Sequence, residues 1–452
     1  MGVYLLLLVG ATTALTDAAS ACAAWPACGN GWTVPATTLG YVALGHRVAA
    51  VAVGLLGLVT AAVGWRREES LRVRASLAVA VVLYPIQAVL GAVVAVNGDV
   101  AALTMLHLVV GMVIFGSLVA ALAWTLERAT GDPDDAPTEP LSSPLAADVD
   151  PATDRTPNVP SDPFERAKAT AWAYVRLTKP RLMWLLALVA SAAMALAGGP
   201  GLDPQTVLAT LGGGVLSIGA SGTFNHVFER DIDRKMNRTS DRPLATDLVP
   251  VRNALAFGGL LTLASLALFA SVNLLAAALG LLAIAFYSVV YTLLLKPNTV
   301  QNTVVGGAAG ALPALIGWVA VTGEFGLGGL VLAAVIFLWT PAHFYNLALA
   351  YKEDYERGGF PMMPVVRGET ETRKHILWYL GATLVAAGGL GLTDRLGWLY
   401  VAASVVGGAV FLWTVVRLHY EQSERAAFRA FHASNAYLGL VLLAIVFDAL
   451  VA

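Results

Sequence analysis

Charge is what this sequence has least of. Asp, Glu, Lys and Arg make up 13% of its 452 residues, against 57% that are hydrophobic, and the mean hydropathy is +0.70. So little charge excludes an ordinary soluble domain. No basic stripe exists outside short loops, and with a net charge of −2 nothing points to a nucleic-acid partner. Cysteine occurs twice, as Cys22 and Cys28, which leaves room for a single disulfide.

What fills the chain instead is apolar runs. About thirteen are long enough to cross a bilayer, which takes about 20 residues at a rise of about 1.5 Å each. They lie near 3–19, 37–64, 76–96, 100–125, 182–199, 205–225, 252–270, 273–295, 302–321, 326–349, 376–392, 397–416 and 433–451. Backbone groups in lipid must be satisfied within the segment, so these are helices and the fold class is all-α, polytopic. Lys and Arg gather in the loops at 65–74, 229–242, 352–374 and 417–429, while the alternate loops hold almost none, Arg395 excepted. The basic loops are therefore expected in the cytoplasm and the protein in the cell membrane. The first run lacks the basic start of a secretory signal and reads as a retained span. Residues 127–169 interrupt the pattern, being rich in Pro and Asp and nearly free of aromatic side chains. They read as a disordered cytoplasmic linker. It divides a four-span module, 1–126, from a nine-span module, 170–452.

In the second module "NHVFERDIDRKMNRTSDRPL" (225–244) concentrates acids and bases. Asn225, Glu229 and Asp233 recur every four residues, so on a helix they lie within about 80° of one another, while Asp231 points away. Oxygen ligands from successive turns suit Mg²⁺, and the interleaved Arg230, Arg234, Lys235, Arg238 and Arg242 suit a diphosphate. A loop charged only for topology would look similar. The balance shifts with "YKEDYERGGFPMMPVVRG" (351–368), a second mixed cluster containing Lys352, Glu353, Asp354, Glu356 and Arg357. Two acidic clusters on two helix ends could hold Mg²⁺ ions around one diphosphate.

These stretches, with "YVRLTKPRLMWLL" (174–186), "YTLLLKPNTVQNTVVGGAAGALPALIGW" (291–318) and "LWTPAHFYNLAL" (338–349), resemble the UbiA superfamily of intramembrane prenyltransferases, and within it the heme O synthases. The family usually has Asp where Glu229 stands. The resemblance implies a transferase that moves a farnesyl group from farnesyl diphosphate to the 2-vinyl group of heme b, with Mg²⁺ held by the catalytic set Asn225, Glu229, Asp233 and Asp354. Arg242, Lys296 and then Lys352 are the implied ligands of the diphosphate. His343, in a "TPxHF" pattern, is expected near the porphyrin, although a lone intramembrane His is often a packing contact.

The N-terminal module holds His46 and His107, each about seven to nine residues, or about 10–14 Å, below the outer surface. Imidazoles at matched depth on facing helices can make a bis-His heme site, and Arg47 could pair with a propionate. Hydrogen bonds between helices would account for the histidines equally well. The loop "CAAWPAC" (22–28) is expected outside, where a disulfide can form. Together these features resemble half of a heme A synthase, with Ala43 standing where an acidic residue is usual. The module is read as heme-binding, with heme b as a cofactor.

Two other classes compete. A prenyltransferase acting on a quinone precursor or lipid alcohol would keep both acidic clusters but have little use for His343. A heme carrier or oxidase assembly factor would explain the first module and leave the clusters without purpose. The expected partners are heme b, farnesyl diphosphate and the bilayer, with a heme A synthase, terminal-oxidase assembly or a second copy of the chain left open.

Overall fold

The computed structural model describes residues 1–15, 20–22, 24–28, 35–97, 101–132, 135, 162–393 and 395–451. All regular structure among them is helical. Four helices form the N-terminal part: α1 (Gly2–Leu15), α2 (Thr38–Arg66), α3 (Leu71–Asn97) and α4 (Ala101–Thr130). There follow α5 (Pro163–Leu177), α6 (Pro180–Gly198), α7 (Pro204–Phe228), the single turn α8 (Arg230–Asp233), α9 (Val251–Val272) and α10 (Leu274–Ala285). The last of these continues as a π-helix, Phe286–Leu295. Then come α11 (Asn302–Thr322), α12 (Leu327–Ala350), α13 (Lys352–Arg357), α14 (Met363–Val366), α15 (Glu369–Leu390), α16 (Trp398–Glu421) and α17 (Glu424–Val451).

Among the described residues eleven helical runs are long and apolar enough to cross a membrane. The first and eleventh expected spans fall on α1, which has 14 residues, and α15, whose first two turns carry Glu369, Glu371, Arg373 and Lys374. Helices occupy both ends of the expected linker. Helix α4 runs on to Thr130, and α5 starts at Pro163 because Asp162 accepts the Glu165 N–H at 2.9 Å ahead of a proline at the first helical position. Residues 136–161, the bulk of that stretch, lie outside the described residues.

In the C-terminal part α6, α11, α12 and α17 close a ring, with α7 and α9 packed on one side and α15 and α16 on the other. Small residues let these helices approach: a β-carbon at Gly317 of α11 would come within 2.4 Å of the Ala190 carbonyl of α6. The N-terminal helices join the same core. Tyr4, Leu8, Phe115, Ala123 and Leu126 are buried with Leu377, Leu380, Leu384 and Tyr400, and Glu127 pairs with Lys374 at 2.7 Å.

Candidate functional site

Helix α7 ends at Phe228, where Glu229 takes φ −94° and ψ 2°, and α8 adds one more turn. The break preserves the four-residue spacing. Glu229 N–H donates to the Asn225 carbonyl at 2.9 Å, and Asp233 N–H donates to the Glu229 carbonyl at 2.8 Å. Asn225, Glu229 and Asp233 are 2%, 3% and 2% exposed, so their polar groups must find partners inside the protein. Asp231 faces outward and pairs with Arg230 at 3.0 Å and Arg234 at 3.6 Å.

The partners are three basic side chains, Lys179 and Lys296 from distant parts of the chain and Arg242 from the loop that follows α8. Lys296 Nζ meets Glu229 Oε1 at 2.6 Å. Arg242 donates from one nitrogen to both Asp233 oxygens at 2.8 Å, and that nitrogen lies 3.8 Å from Glu229 Oε2. Lys179 donates to Asn225 Oδ1 and, at 3.3 Å, to the Tyr287 hydroxyl. Asn225 Nδ2 in turn donates to Thr292 Oγ1 at 3.0 Å. Burial pushes the Glu229 carboxyl up, but attraction by Lys296, Lys179 and Arg242 outweighs it and holds the group below its ordinary range. At Asp233 burial wins, aided by repulsion from Glu229, and the carboxyl sits above its ordinary range despite Arg242.

Lys179 and Tyr287 are site residues that the sequence reading did not single out. Lys179 reaches the cluster from a left-handed backbone conformation, φ 53°, at the start of α6. Lys179 lies between Arg176 and Arg181 ahead of the apolar run 182–199, where a basic residue is ordinary, so it gave no separate signal in the sequence. Tyr287, Thr292 and Lys296 depend on the π-helix, in which Lys296 N–H bonds to the Tyr291 carbonyl five residues back at 2.9 Å. The Phe360 ring lies 4.3 Å from Lys296 Nζ.

The donor chemistry suits Mg²⁺. All the available ligand atoms on Asn225, Glu229 and Asp233 that face the cations are oxygens, and one guanidinium nitrogen already occupies a position shared by both carboxylates. Lys296 and Arg242 match the two carboxylates in charge, and Lys179 adds a third basic group for a polyanion to engage. Asp354 stands apart from this set. Its carboxylate accepts the N–H groups of Asn237 at 3.2 Å and Arg238 at 3.0 Å and pairs with Arg357 at 3.1 Å. Among the described residues no group of three or more His, Cys, Asp or Glu converges on a point. Lys352 is paired with Glu369 at 3.0 Å, away from the first cluster.

His343 is buried in α12, stacked between Trp339 and Phe431 with ring centroids 4.3 Å away on each side. Its Nδ1 shares a 2.6 Å hydrogen bond with Ser434 of α17. An apolar groove of about 380 Å³ opens between α10, α11 and α12, lined by Leu282, Phe286, Ala308, Leu312, Ala333 and Phe337. Phe286 begins the π-helix that ends beside Lys296.

In the N-terminal part Cys22 and Cys28 are joined in a disulfide. Arg47 does not stand free for a propionate: it donates to the carbonyls of Ala24 at 2.7 Å, Ala27 at 2.8 Å and Cys22 at 2.8 Å. It stitches the cysteine loop to α2. His46 lies against Gly10 of α1, and His107 against Gly91 of α3, with Gln87 Nε2 at 3.3 Å from His107 Nε2. Among the described residues His46 Nδ1, His107 Nδ1 and Gln87 Oε1 are buried without a hydrogen-bond partner.

The UbiA prenyltransferase family profile matches residues 184–436. The whole chain is 66% identical to the protoheme IX farnesyltransferase of Haloquadratum walsbyi, covering 95% of it. It is likewise 66% identical to protoheme IX farnesyltransferase 1 of Natronomonas pharaonis, covering 96%. Both matches take in the N-terminal helices. Among solved structures, that of a digeranylgeranylglyceryl phosphate synthase has the same fold, with a TM-score of 0.54 at 15% identity over 63% of this chain and 100% of the other.

Proposed function

Because the chain belongs to the UbiA prenyltransferase family, we propose that it is a membrane-embedded protoheme IX farnesyltransferase, converting heme b to heme O. The observation that carries this reading is the meeting of Lys179, Lys296 and Arg242 over Asn225, Glu229 and Asp233 at one end of an apolar helix bundle. Asn225, Glu229 and Asp233 would hold Mg²⁺, which would supply charge to make diphosphate a better leaving group; Asp354 would join them only by giving up Asn237, Arg238 and Arg357. The three basic side chains bind the same oxygens and leave the acidic cluster as they do so; Lys352, held by Glu369, would reach them only after leaving that pair. The bond from farnesyl C1 to oxygen breaks and its electron pair leaves with diphosphate. The 2-vinyl group of heme b then forms a bond to C1, and water adds to the resulting cation with loss of a proton.

The surrounding chain keeps other water away from the allylic cation. Phe360 over Lys296 and the Tyr287–Tyr291 stack, with centroids 5.5 Å apart, wall the reacting end. The groove beside Phe286 offers hydrocarbon surface for the prenyl tail. His343, covered on both faces by Trp339 and Phe431, would act on the porphyrin only by holding these rings in place. By the positive-inside rule the diphosphate site and linker face the cytoplasm, and the Cys22–Cys28 loop faces outward. The product serves heme A synthases and terminal oxidases.

We propose further that His46 and His107 of the N-terminal helices would hold a second heme b. The support is three buried polar atoms, two imidazole Nδ1 and Gln87 Oε1, left unpaired inside a four-helix unit.

The test incubates the full-length protein with heme b, farnesyl diphosphate and Mg²⁺ and reads extracted hemes by mass. Heme O is expected, and is expected to vanish in Glu229→Ala and Asp233→Ala; undiminished heme O in both variants would refute the diphosphate assignment. A low-spin bis-His absorbance spectrum is expected in the wild type. Its persistence in a His46→Ala, His107→Ala double variant would remove the heme site of the N-terminal helices.

A further inference from the structure

Helix α15 begins without a cap of its own. Its first flanking residue is Gly368, at φ 85°, which has no side chain to accept the exposed N–H groups of the first turn. The acceptor arrives from the other half of the protein: Asp135 Oδ2, just beyond α4, takes the Thr370 N–H at 2.6 Å. Asp132 N–H donates to Thr370 Oγ1 at 3.2 Å. The fit is tight enough to require glycine, since a β-carbon at 368 would lie 2.5 Å from Asp135 Oδ1 and 2.6 Å from its carbonyl oxygen. One turn further along, Lys374 pairs with Glu127 of α4 at 2.7 Å.

The capped turn is not remote from the chemistry. Its first residue, Glu369, holds Lys352 at 3.0 Å, and Lys352 opens α13. Two residues on, Asp354 grips the backbone N–H groups of Asn237 and Arg238. That loop delivers Arg242 to Asp233. A continuous series of contacts therefore runs from Asp135 to the diphosphate cluster.

We propose that Asp135 is a positioning residue for prenyl transfer: by capping α15 from the N-terminal half it fixes Glu369, Lys352 and α13, and through them the loop that carries Arg242. The contact makes the N-terminal half a working part of the diphosphate site. The kinetic consequence rests on the farnesyltransferase reading; the structural consequence does not.

The test uses full-length protein, wild type and with Asp135→Ala or Asp135→Asn. Loss of the cap in Asp135→Ala is expected to raise amide hydrogen exchange across 352–374 and to raise KM for farnesyl diphosphate about three- to fivefold, with kcat changed less than about twofold. Asn caps nearly as well as Asp, so Asp135→Asn is expected to restore both readouts. Unchanged exchange in Asp135→Ala overturns the proposal, as does a fall in kcat without a rise in KM. So does an Asp135→Asn variant that behaves like Asp135→Ala. If the wild type makes no heme O, the farnesyltransferase reading fails and the exchange measurement alone decides the capping role.

Discussion

Glu229 is one methylene longer than the residue usual at its place in the family, and the structure shows what that length reaches. Its Oε1 meets Lys296 at 2.6 Å while Oε2 stays within 3.8 Å of Arg242, so one carboxylate bridges two cations. In Glu229→Asp the shorter arm is expected to release Lys296 and retain Arg242. Heme O formation should continue within about tenfold of wild type, at a shifted Mg²⁺ requirement, measured by titrating the metal at saturating farnesyl diphosphate. Loss of activity comparable to Glu229→Ala would show that the longer side chain is obligatory. His343 gives a second residue-level expectation. Ser434→Ala leaves Nδ1 buried without its partner and should cost about 1–3 kcal/mol of stability, read from thermal unfolding in detergent. The acidic motif was legible in sequence because Asn225, Glu229 and Asp233 are neighbours at a helical period. Lys179 was not, since its approach to Asn225 depends on a left-handed backbone at the head of α6 and on a helix 46 residues away.

At the level of elements, hydropathy located the spans but could not distinguish one kind of helix from another. The run 273–295 reads as a uniform span, yet its second half is π-helical, and that winding directs Tyr287, Thr292 and Lys296 toward the cluster. Deleting one residue at 289 or 290 should restore α-helical winding and turn Lys296 about 100° away from Glu229. The expected result is normal membrane insertion with farnesyl transfer lost, checked by expression level against heme O yield; retained transfer would mean that the π-helix is incidental. The short α1 and the charged start of α15 were harder to read for a different reason. Hydropathy marks both as apolar, but it does not show that α1 is only 14 residues long or that both helices lie against protein in the shared core.

In the molecule as a whole, two modules that look separable in sequence share one core. Composition shows where the chain ceases to be apolar; it does not show that Leu126 and Ala123 pack with Leu377 and Leu380, because contacts so distant in sequence leave no periodic trace. Arg47 is a similar case, its partners being carbonyls of the cysteine loop. Both ends of the connecting stretch are seated on the prenyltransferase half. Asp135 sits on α15, and α5 buries Ala173 and Leu177 against Leu244 and Val249, with Arg176 paired to Asp241 at 2.8 Å. Covalent continuity between 136 and 161 is therefore expected to be dispensable. Two chains, one ending and the other beginning within that interval, should find each other in the membrane, co-purify and make heme O at a rate close to that of the intact protein. Failure of the pair to co-purify would mean that the halves are held together by the tether rather than by their interface. On this view the connecting stretch serves to supply the two halves in equal number, and halves taken from different relatives should be interchangeable wherever the interface residues match.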